Sequence, residues 1–212
     1  MFHPALNKVK TILVIGAHAD DIEIGCGGTL LRLLSEQSLH VHWLVLSGSE
    51  ERRSEARASA REFLRQAASS EFDIESFPDS FFPDSYRDIK ECFGSLCKRI
   101  NPDLIFTHRR EDMHQDHSLV GELTWNTFRD HLIFEYEIPK YEGDLGQPNV
   151  FFALGKETCE KKIAAILESY PSQRQRYWFN ADTLWAMLRI RGVESGQNVQ
   201  FAEAFHCRKM IL

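Results

Sequence analysis

A doubly wound α/β sheet, mostly parallel and with helices on both faces, is predicted by three features of the sequence. Short apolar, β-branched runs alternate with longer helix-forming segments. Gly, Ser, Pro and Asp punctuate the joints. Two segments dense in His and carboxylate each follow directly on an apolar run, which is where such sheets gather their ligands.

The elements follow in order. Thr11 to Ile15, TILVI, ends at Gly16 and reads as a buried strand. Cys26 to Ser35 carries Leu30, Leu31, Leu33 and Leu34, a helix for packing on the sheet. Val41 to Leu46 is a second strand, closed by Ser47-Gly48-Ser49. Glu50 to Gln66 is charged and Ala-rich, a good helix. Phe72 to Phe77 is a third strand, and Pro78 to Ser85 a loop rich in Pro and Asp. Tyr86 to Ile100 returns to helical spacing; Leu104 to Phe106 is a short buried strand. A helix over Val120 to Asp130, a strand over Leu132 to Tyr136 and a loop over Pro139 to Pro148 come next. Asn149 to Ala153 reads as a strand and Glu157 to Ser169 as a helix, with Ser172 expected to cap the helix after it. Phe201 to Phe205 is expected to close the chain as an edge strand. No repeat or linker divides residues 1–212, so one domain is expected.

Composition narrows the function. Of the 212 residues, 43% are hydrophobic and 26% charged, enough for a sizeable core. The net charge of −6 offers no basic excess for neutralising phosphates and argues against a nucleic-acid partner. Cys26, Cys92, Cys97, Cys159 and Cys207 are odd in number and lack C-x-x-C spacing, which fits a reducing, cytoplasmic compartment better than a disulfide framework. The opening MFHPALNKVK has no apolar core for a signal peptide, and no run approaches the ~20 residues of a membrane span.

The chemistry lies in two segments. After the first strand stands Ala17-His18-Ala19-Asp20-Asp21-Ile22-Glu23-Ile24-Gly25-Cys26-Gly27-Gly28-Thr29. After Phe106 stands Thr107-His108-Arg109-Arg110-Glu111-Asp112-Met113-His114-Gln115-Asp116-His117. Imidazole and carboxylate suit zinc or another borderline divalent metal. His18 and Asp21 are three apart, as are His114 and His117, close enough to wrap one ion. Alone, either segment also reads as a capped turn or a solvated helix start; together they favour a shared metal site. Gly25 to Gly28 lacks the spacing and the Lys of a phosphate loop, so these glycines are read as close-packing positions and Cys26 as a small packed residue.

The two segments resemble the motifs of the PIG-L or LmbE-like zinc-dependent de-N-acetylases. The family's AHPDDE, often extended as HPDDIEIGCGGT, stands here as AHADDIEIGCGGT, and its H-x-D-H as His114-Gln115-Asp116-His117. Weaker likeness runs through Arg52-x-x-Glu55-Ala56-Arg57, Tyr170-Pro171-Ser172-Gln173 and Ala202-Glu203-Ala204-Phe205. The resemblance implies a Rossmann-like fold and one zinc ion per chain, another divalent metal being the alternative. It implies His18, Asp21 and His117 as metal ligands and Asp20 as general base. His114 would stabilise the oxyanion, oriented by Asp116. Ala19 replaces the family's usual Pro, which implies a looser turn with its chemistry intact. The implied activity removes an acetyl group from a small-molecule N-acetylated amino sugar. The alternatives are an amidase for another N-acyl group and a non-catalytic carbohydrate-binding relative; a dinucleotide binder would need G-x-G-x-x-G after the first strand.

Other residues carry weaker signals. Arg52, after the second strand, is a candidate to bind a substrate phosphate or carboxylate, with Arg53 competing and a solvated helix start as the plain reading. His108, Glu111 and Asp112 are read equally as site support or surface loop, and His42 as a packed or edge histidine. His3, His131 and His206 have no partner by sequence. Tyr177, Trp178, Phe179 and Trp185 read as core packing or as a subunit interface in a homo-oligomer, ahead of sugar stacking.

Overall fold

The computed structural model describes residues 6–211, so His3 and the first half of the MFHPALNKVK segment lie outside it. One sheet of seven strands runs in the order β3-β2-β1-β4-β5-β7-β6. The strands are β1 (Thr11–Gly16), β2 (His40–Ser47), β3 (Ser69–Phe77), β4 (Leu104–His108), β5 (Leu132–Tyr136), β6 (Val150–Leu154) and β7 (Phe201–His206). The first five are parallel; β7 runs antiparallel to both β5 and β6. The expected closing strand is therefore interior, and β6 is the edge beside it. This β7 is apolar on both sides of Glu203, and Glu203 is itself neutralised by a buried Lys162 at 2.6 Å, so the strand tolerates neighbours on both edges.

Alternation within the strands builds two cores. Ile12 and Val14 face one cluster, with Leu30 and Phe63; Leu13 and Ile15 face the other, with Phe93 and Leu123. The first face is covered by α1 (Asp21–Glu36), α2 (Glu50–Phe63), α5 (Lys156–Ser169) and α6 (Ala181–Ser195). The second is covered by α3 (Tyr86–Arg99) and α4 (Gln115–Thr127). Among the described residues, no helix is long and apolar enough to cross a membrane. All five cysteines are free thiols.

Three boundaries differ from the sequence expectation. First, α1 begins at Asp21, five residues before Cys26, so Gly25, Gly27 and Gly28 lie inside the helix. Low glycine propensity hid this turn, and packing overrides it. A Cβ on Gly25 would lie 2.3 Å from the Tyr136 ring. That ring is tethered, its hydroxyl donating to Ile15 O at 2.6 Å. Second, α4 begins at Gln115, so Asp116 and His117 occupy its first turn. Third, Ser172 sits in a short 3₁₀ turn, and Asn180 caps α6 by accepting the Thr183 N–H at 2.9 Å.

Gly25→Ala separates two opposite effects. In an open helix the change would add about 1 kcal/mol of stability. Here the methyl must displace a tethered, fully buried ring, at about 1–3 kcal/mol. We expect net destabilisation, read as a lower denaturant midpoint; an unchanged or raised midpoint would refute the packing account.

Candidate metal centre and active site

The sheet reverses its winding between β1 and β4: β1 leads outward to β2, and β4 lies on its other side. A cleft forms at such a switch point, beyond the carboxyl ends of the strands. The segment after β1 supplies His18, Asp20 and Asp21; the segment after β4 supplies Asp112 and His114, with Asp116 and His117 in the first turn of α4. The loop after β3 adds Asp79 and Ser80, and the loop after β5 adds Lys140 and Asp144.

Asp20 is the turning point of the first segment. It holds φ 92° and ψ −20°, left-handed for a non-glycine residue. Such a conformation costs about 1–3 kcal/mol and persists where its surroundings impose it. Asp20 stands at the N-cap of α1 but makes no side-chain cap bond, which sets aside the plain capping reading. Its Oδ2 instead accepts Arg52 Nη2 at 3.0 Å. The next carboxylate turns elsewhere: Asp21 Oδ2 accepts the His18 backbone N–H at 2.7 Å.

Three donor atoms converge. His18 Nδ1 and His117 Nε2 are 3.2 Å apart, and Asp21 Oδ2 lies 3.5 Å from the first and 3.6 Å from the second. Each imidazole has its other nitrogen on a carboxylate. His18 Nε2 meets Asp116 Oδ2 at 3.0 Å and Asp79 Oδ1 at 3.2 Å. His117 Nδ1 meets Asp112 Oδ2 at 3.2 Å. A neutral ring that donates its N–H there keeps a lone pair on the nitrogen that faces the centre.

His108 crowds the same point. The fully buried ring stacks on His117 with centroids 4.0 Å apart. Its Nε2 accepts the Ala17 N–H at 3.0 Å while facing Asp21 Oδ2 at 3.1 Å.

Burial, then His108, lower the His117 pKa, while His18 and Asp21 are held in their charged forms. Burial opposes a charged His18, but hydrogen bonds to Asp116, Asp21 and Asp79 outweigh it and hold its pKa well above the usual value. Burial would raise the Asp21 carboxyl, yet His117 and His108 hold it well below the usual range. Asp20 behaves differently. Burial pushes its pKa up to about 7, against the pull of Arg52 and with help from Asp21 and Glu23. A carboxyl so placed gains or loses a proton near neutral pH.

His114 is the N-cap of α4, and its Nδ1 accepts the Asp116 backbone N–H at 3.3 Å. That bond leaves Nε2 as the protonated nitrogen of a neutral ring. Burial, then His117 and His18, lower the His114 pKa. The Asp116 carboxylate was expected to orient His114. It makes no hydrogen bond to that ring: its oxygens take His18 Nε2, the Ser80 N–H at 2.7 Å and the Phe82 N–H at 3.1 Å. The reason is helical geometry, since Asp116 lies in the first turn of α4 and its side chain leaves the face that carries His114.

Arg52 is neither solvated nor loose. Its guanidinium donates to Asp20 Oδ2 at 3.0 Å, to Glu55 Oε2 at 3.1 Å, to Ser172 Oγ at 3.3 Å and to the Ala19 carbonyl. It also lies over the Tyr170 ring at 4.9 Å. Arg53 instead pairs with exposed Glu50. Asp112 is buried and Glu111 is an exposed partner of Arg208. His42 is a packed histidine on Asp73 at 2.8 Å. His131 bonds Asn101 at 3.1 Å, and His206 lies 3.5 Å from Glu137. Phe179 is buried and Trp178 and Trp185 pack on the core, but Tyr177 is 76% exposed, contrary to the core reading. Sequence reasoning missed Asp79, Lys140 and Asp144. Lys140 Nζ donates to Asp112 Oδ2 at 2.8 Å and Asp144 Oδ1 at 2.7 Å. The signal for Lys140 was a cation in a loop after a predicted strand.

Among solved structures, the chain is similar to the conserved protein TT1542 from Thermus thermophilus, at 24% identity and TM-score 0.73 over 95% of each chain. It is similar to N,N′-diacetylchitobiose deacetylase from Pyrococcus horikoshii, at 20% identity and TM-score 0.69 over 94% of this chain and 84% of that one. GalB, the 4-carboxy-2-hydroxymuconate hydratase of Pseudomonas putida KT2440, shares the fold at 19% identity and TM-score 0.76, over 96% and 98%. A deacetylase of Escherichia coli K12, YaiS, whose function is uncharacterised, is 29% identical over 173 residues, 76% of this chain and 90% of that protein. The family model for PIG-L, GlcNAc-PI de-N-acetylase, matches residues 13–128, a span that holds both halves of the donor cluster. That match takes in more than half of the chain, and the protein belongs to the PIG-L family of de-N-acetylases.

Proposed function

We propose that the protein is a metal-dependent N-deacetylase that removes the acetyl group of an N-acetylated amino sugar or its conjugate. One observation carries the reading: His18 Nδ1, His117 Nε2 and Asp21 Oδ2 converge to within 3.2–3.6 Å of one another. Ligands about 2.0–2.2 Å from a tetrahedral zinc stand roughly 3.3–3.6 Å apart. The donor set and its spacing thus fit one zinc ion or a similar divalent metal, held by His18, Asp21 and His117. Such an ion would supply Lewis acidity toward the acyl carbonyl and the attacking water.

The remaining steps belong to the chain. Asp20, its Oδ2 on Arg52, keeps Oδ1 for the proton of the attacking water. Neutral His114 offers Nε2–H to the oxyanion as the carbonyl becomes tetrahedral, the kind of donor worth ~3–4 kcal/mol. Asp20 then returns its proton to the departing amine. In this reading Arg52, proposed from sequence as a substrate contact, acts as a positioning residue: its hydrogen bonds hold Asp20 and leave little guanidinium for a ligand. The free thiols fit a reducing compartment such as the cytoplasm.

GalB's likeness in fold is a reminder that a fold hosts several reactions, so the assay must read the bond that breaks. Zinc-loaded protein incubated with N-acetylglucosamine and its glycosides should release acetate and primary amine in equal amounts. Release of the matching carboxylate and amine from other N-acyl compounds alone would move the reading to a different amidase. Release from none would refute it.

A further inference from the structure

A lysine shares the carboxylate behind one of the two converging imidazoles. Asp112 Oδ2 accepts the His117 Nδ1–H at 3.2 Å and the Lys140 ammonium at 2.8 Å, while Oδ1 accepts the His114 backbone N–H at 2.9 Å. One carboxylate thus orients a ring of the donor cluster and the backbone of His114, and Lys140 sits on the oxygen that holds the ring. Lys140 Nζ also donates to Asp144 Oδ1 at 2.7 Å and to the Ile138 carbonyl at 3.3 Å, which places all three of its protons. Asp144 Oδ2 in turn accepts the Met113 N–H at 2.7 Å. The side chains of Asp112, Asp144 and Lys140 are 2%, 7% and 11% exposed, so water and salt screen these charges little. His18 is backed differently. Its partner Asp116 takes the Ser80 and Phe82 backbone N–H groups, which carry no net charge. Arg109 also reaches the Lys140 loop, through the Asp144 carbonyl at 2.8 Å, but makes no hydrogen bond to Asp112.

Charge on that shared oxygen sets how His117 behaves. A carboxylate behind a ligating imidazole raises the basicity of the ring and strengthens its hold on the ion. A cation 2.8 Å from the same oxygen draws that charge away. Resting on the metal reading above, we propose that Lys140 is a positioning residue of the metal centre: it fixes Asp112 behind His117 and weakens the pull of that carboxylate on the Nδ1 proton. His117 then donates less strongly, and an ion held there stays electron-poor, which favours polarising an acyl carbonyl. Asp144 opposes Lys140 by sharing its charge, so the two residues move the pull of Asp112 in opposite directions.

The test compares wild type with Asp144→Asn and with the double variant Lys140→Met/Asp144→Asn, each checked for unchanged circular dichroism. Asparagine keeps an acceptor for the Met113 N–H, and the double variant removes the cation together with one of its two anions. Zinc affinity is read in competition with a chromophoric chelator. The His117 Nδ1 proton is read by nitrogen-15 NMR of metal-free protein. Asp144→Asn leaves Lys140 wholly on Asp112, so zinc affinity should fall about 3- to 10-fold and the Nδ1 proton should move upfield. The double variant frees Asp112, so zinc affinity should rise about 3- to 10-fold above wild type and the proton should move downfield. Both changes fall short of the ~10- to 100-fold expected when the whole carboxylate is lost. A packing role alone would weaken zinc in both variants. Affinities that move in the same direction or not at all, or that move while the proton stays in place, would overturn the proposal. Should the double variant not fold, Asp144→Asn decides by itself: unchanged or tighter zinc binding, or a proton that stays or moves downfield, overturns it. Because the proton is read without zinc, the two readings fail separately. Opposed proton shifts in protein that binds no zinc defeat the metal site and leave the link from Lys140 through Asp112 to His117 standing. Zinc binding with a fixed proton defeats the role of Lys140 alone.

Discussion

Asp20→Asn should lower turnover about 100-fold or more while leaving the metal content of the protein intact. Asparagine keeps the size of the side chain and an oxygen for Arg52, but it cannot take a proton. Metal should stay because the converging atoms belong to His18, Asp21 and His117, and Asp20 faces Arg52 instead. Near wild-type turnover would remove Asp20 from the chemistry. The same carboxyl sets the expected pH dependence. Burial raises its pKa to about 7, with Arg52 pulling down and Asp21 and Glu23 pushing up. The base works ionised, so the wild-type rate should climb as pH rises through the Asp20 titration. Arg52→Gln removes the opposing cation and makes ionisation harder. The rising limb should therefore move to higher pH in that variant, by the sign of the Arg52 contribution. A limb that stays in place would mean that Arg52 does not tune Asp20. A His114 that must be protonated would give a falling limb as it lost its proton. The accepted Asp116 N–H and the lowered pKa argue that His114 works neutral, so no falling limb is assigned to it.

Much of this was legible in the sequence, for physical reasons that differ by element. β1 was readable because TILVI is buried on both faces and ends at a glycine, leaving no helical alternative of comparable pattern. The location of the site followed from the same pattern, since both His/carboxylate segments trail buried parallel strands. The start of α1 was hidden because three glycines speak against a helix locally; only Tyr136, Phe63 and Leu154, far along the chain, show why no larger residue fits. The start of α4 was hidden because its first turn is polar and its N-cap is a histidine, outside the usual capping set. The partners of the imidazoles were beyond reach altogether. Asp116 and His18 lie 98 residues apart, and Lys140 finds Asp112 across 28. Proximity in sequence instead suggested an Asp116–His114 pair, whereas the hydrogen bonds of that carboxylate go to His18, Ser80 and Phe82. Tyr177 misled for a related reason: its aromatic neighbours Trp178 and Phe179 pack inward, but a residue at a loop tip need not follow them.

His18→Ala and His117→Ala should each lose the bound metal, from about one ion per chain to background, when chelator-free protein is analysed. Removing either ring leaves only Asp21 Oδ2 and a single imidazole of this donor set. Full metal content in both variants would refute the ligand assignment. The carboxylates behind the rings give the finer test. Asp116 holds His18 through Nε2, and Asp112 holds His117 through Nδ1, each fixing which nitrogen keeps its lone pair. Loss of such a partner typically weakens metal binding about 10- to 100-fold. Asp116→Ala and Asp112→Ala should both show that loss in competition with a chromophoric chelator, whereas His114→Ala should bind metal as wild type does and lose turnover only. The Asp116 result discriminates between its two assigned roles. If Asp116 served His114, its removal would slow the reaction without touching metal affinity. Because its carboxylate lies on His18, weakened metal binding is expected before any kinetic effect is read, and wild-type affinity in Asp116→Ala would return it to His114.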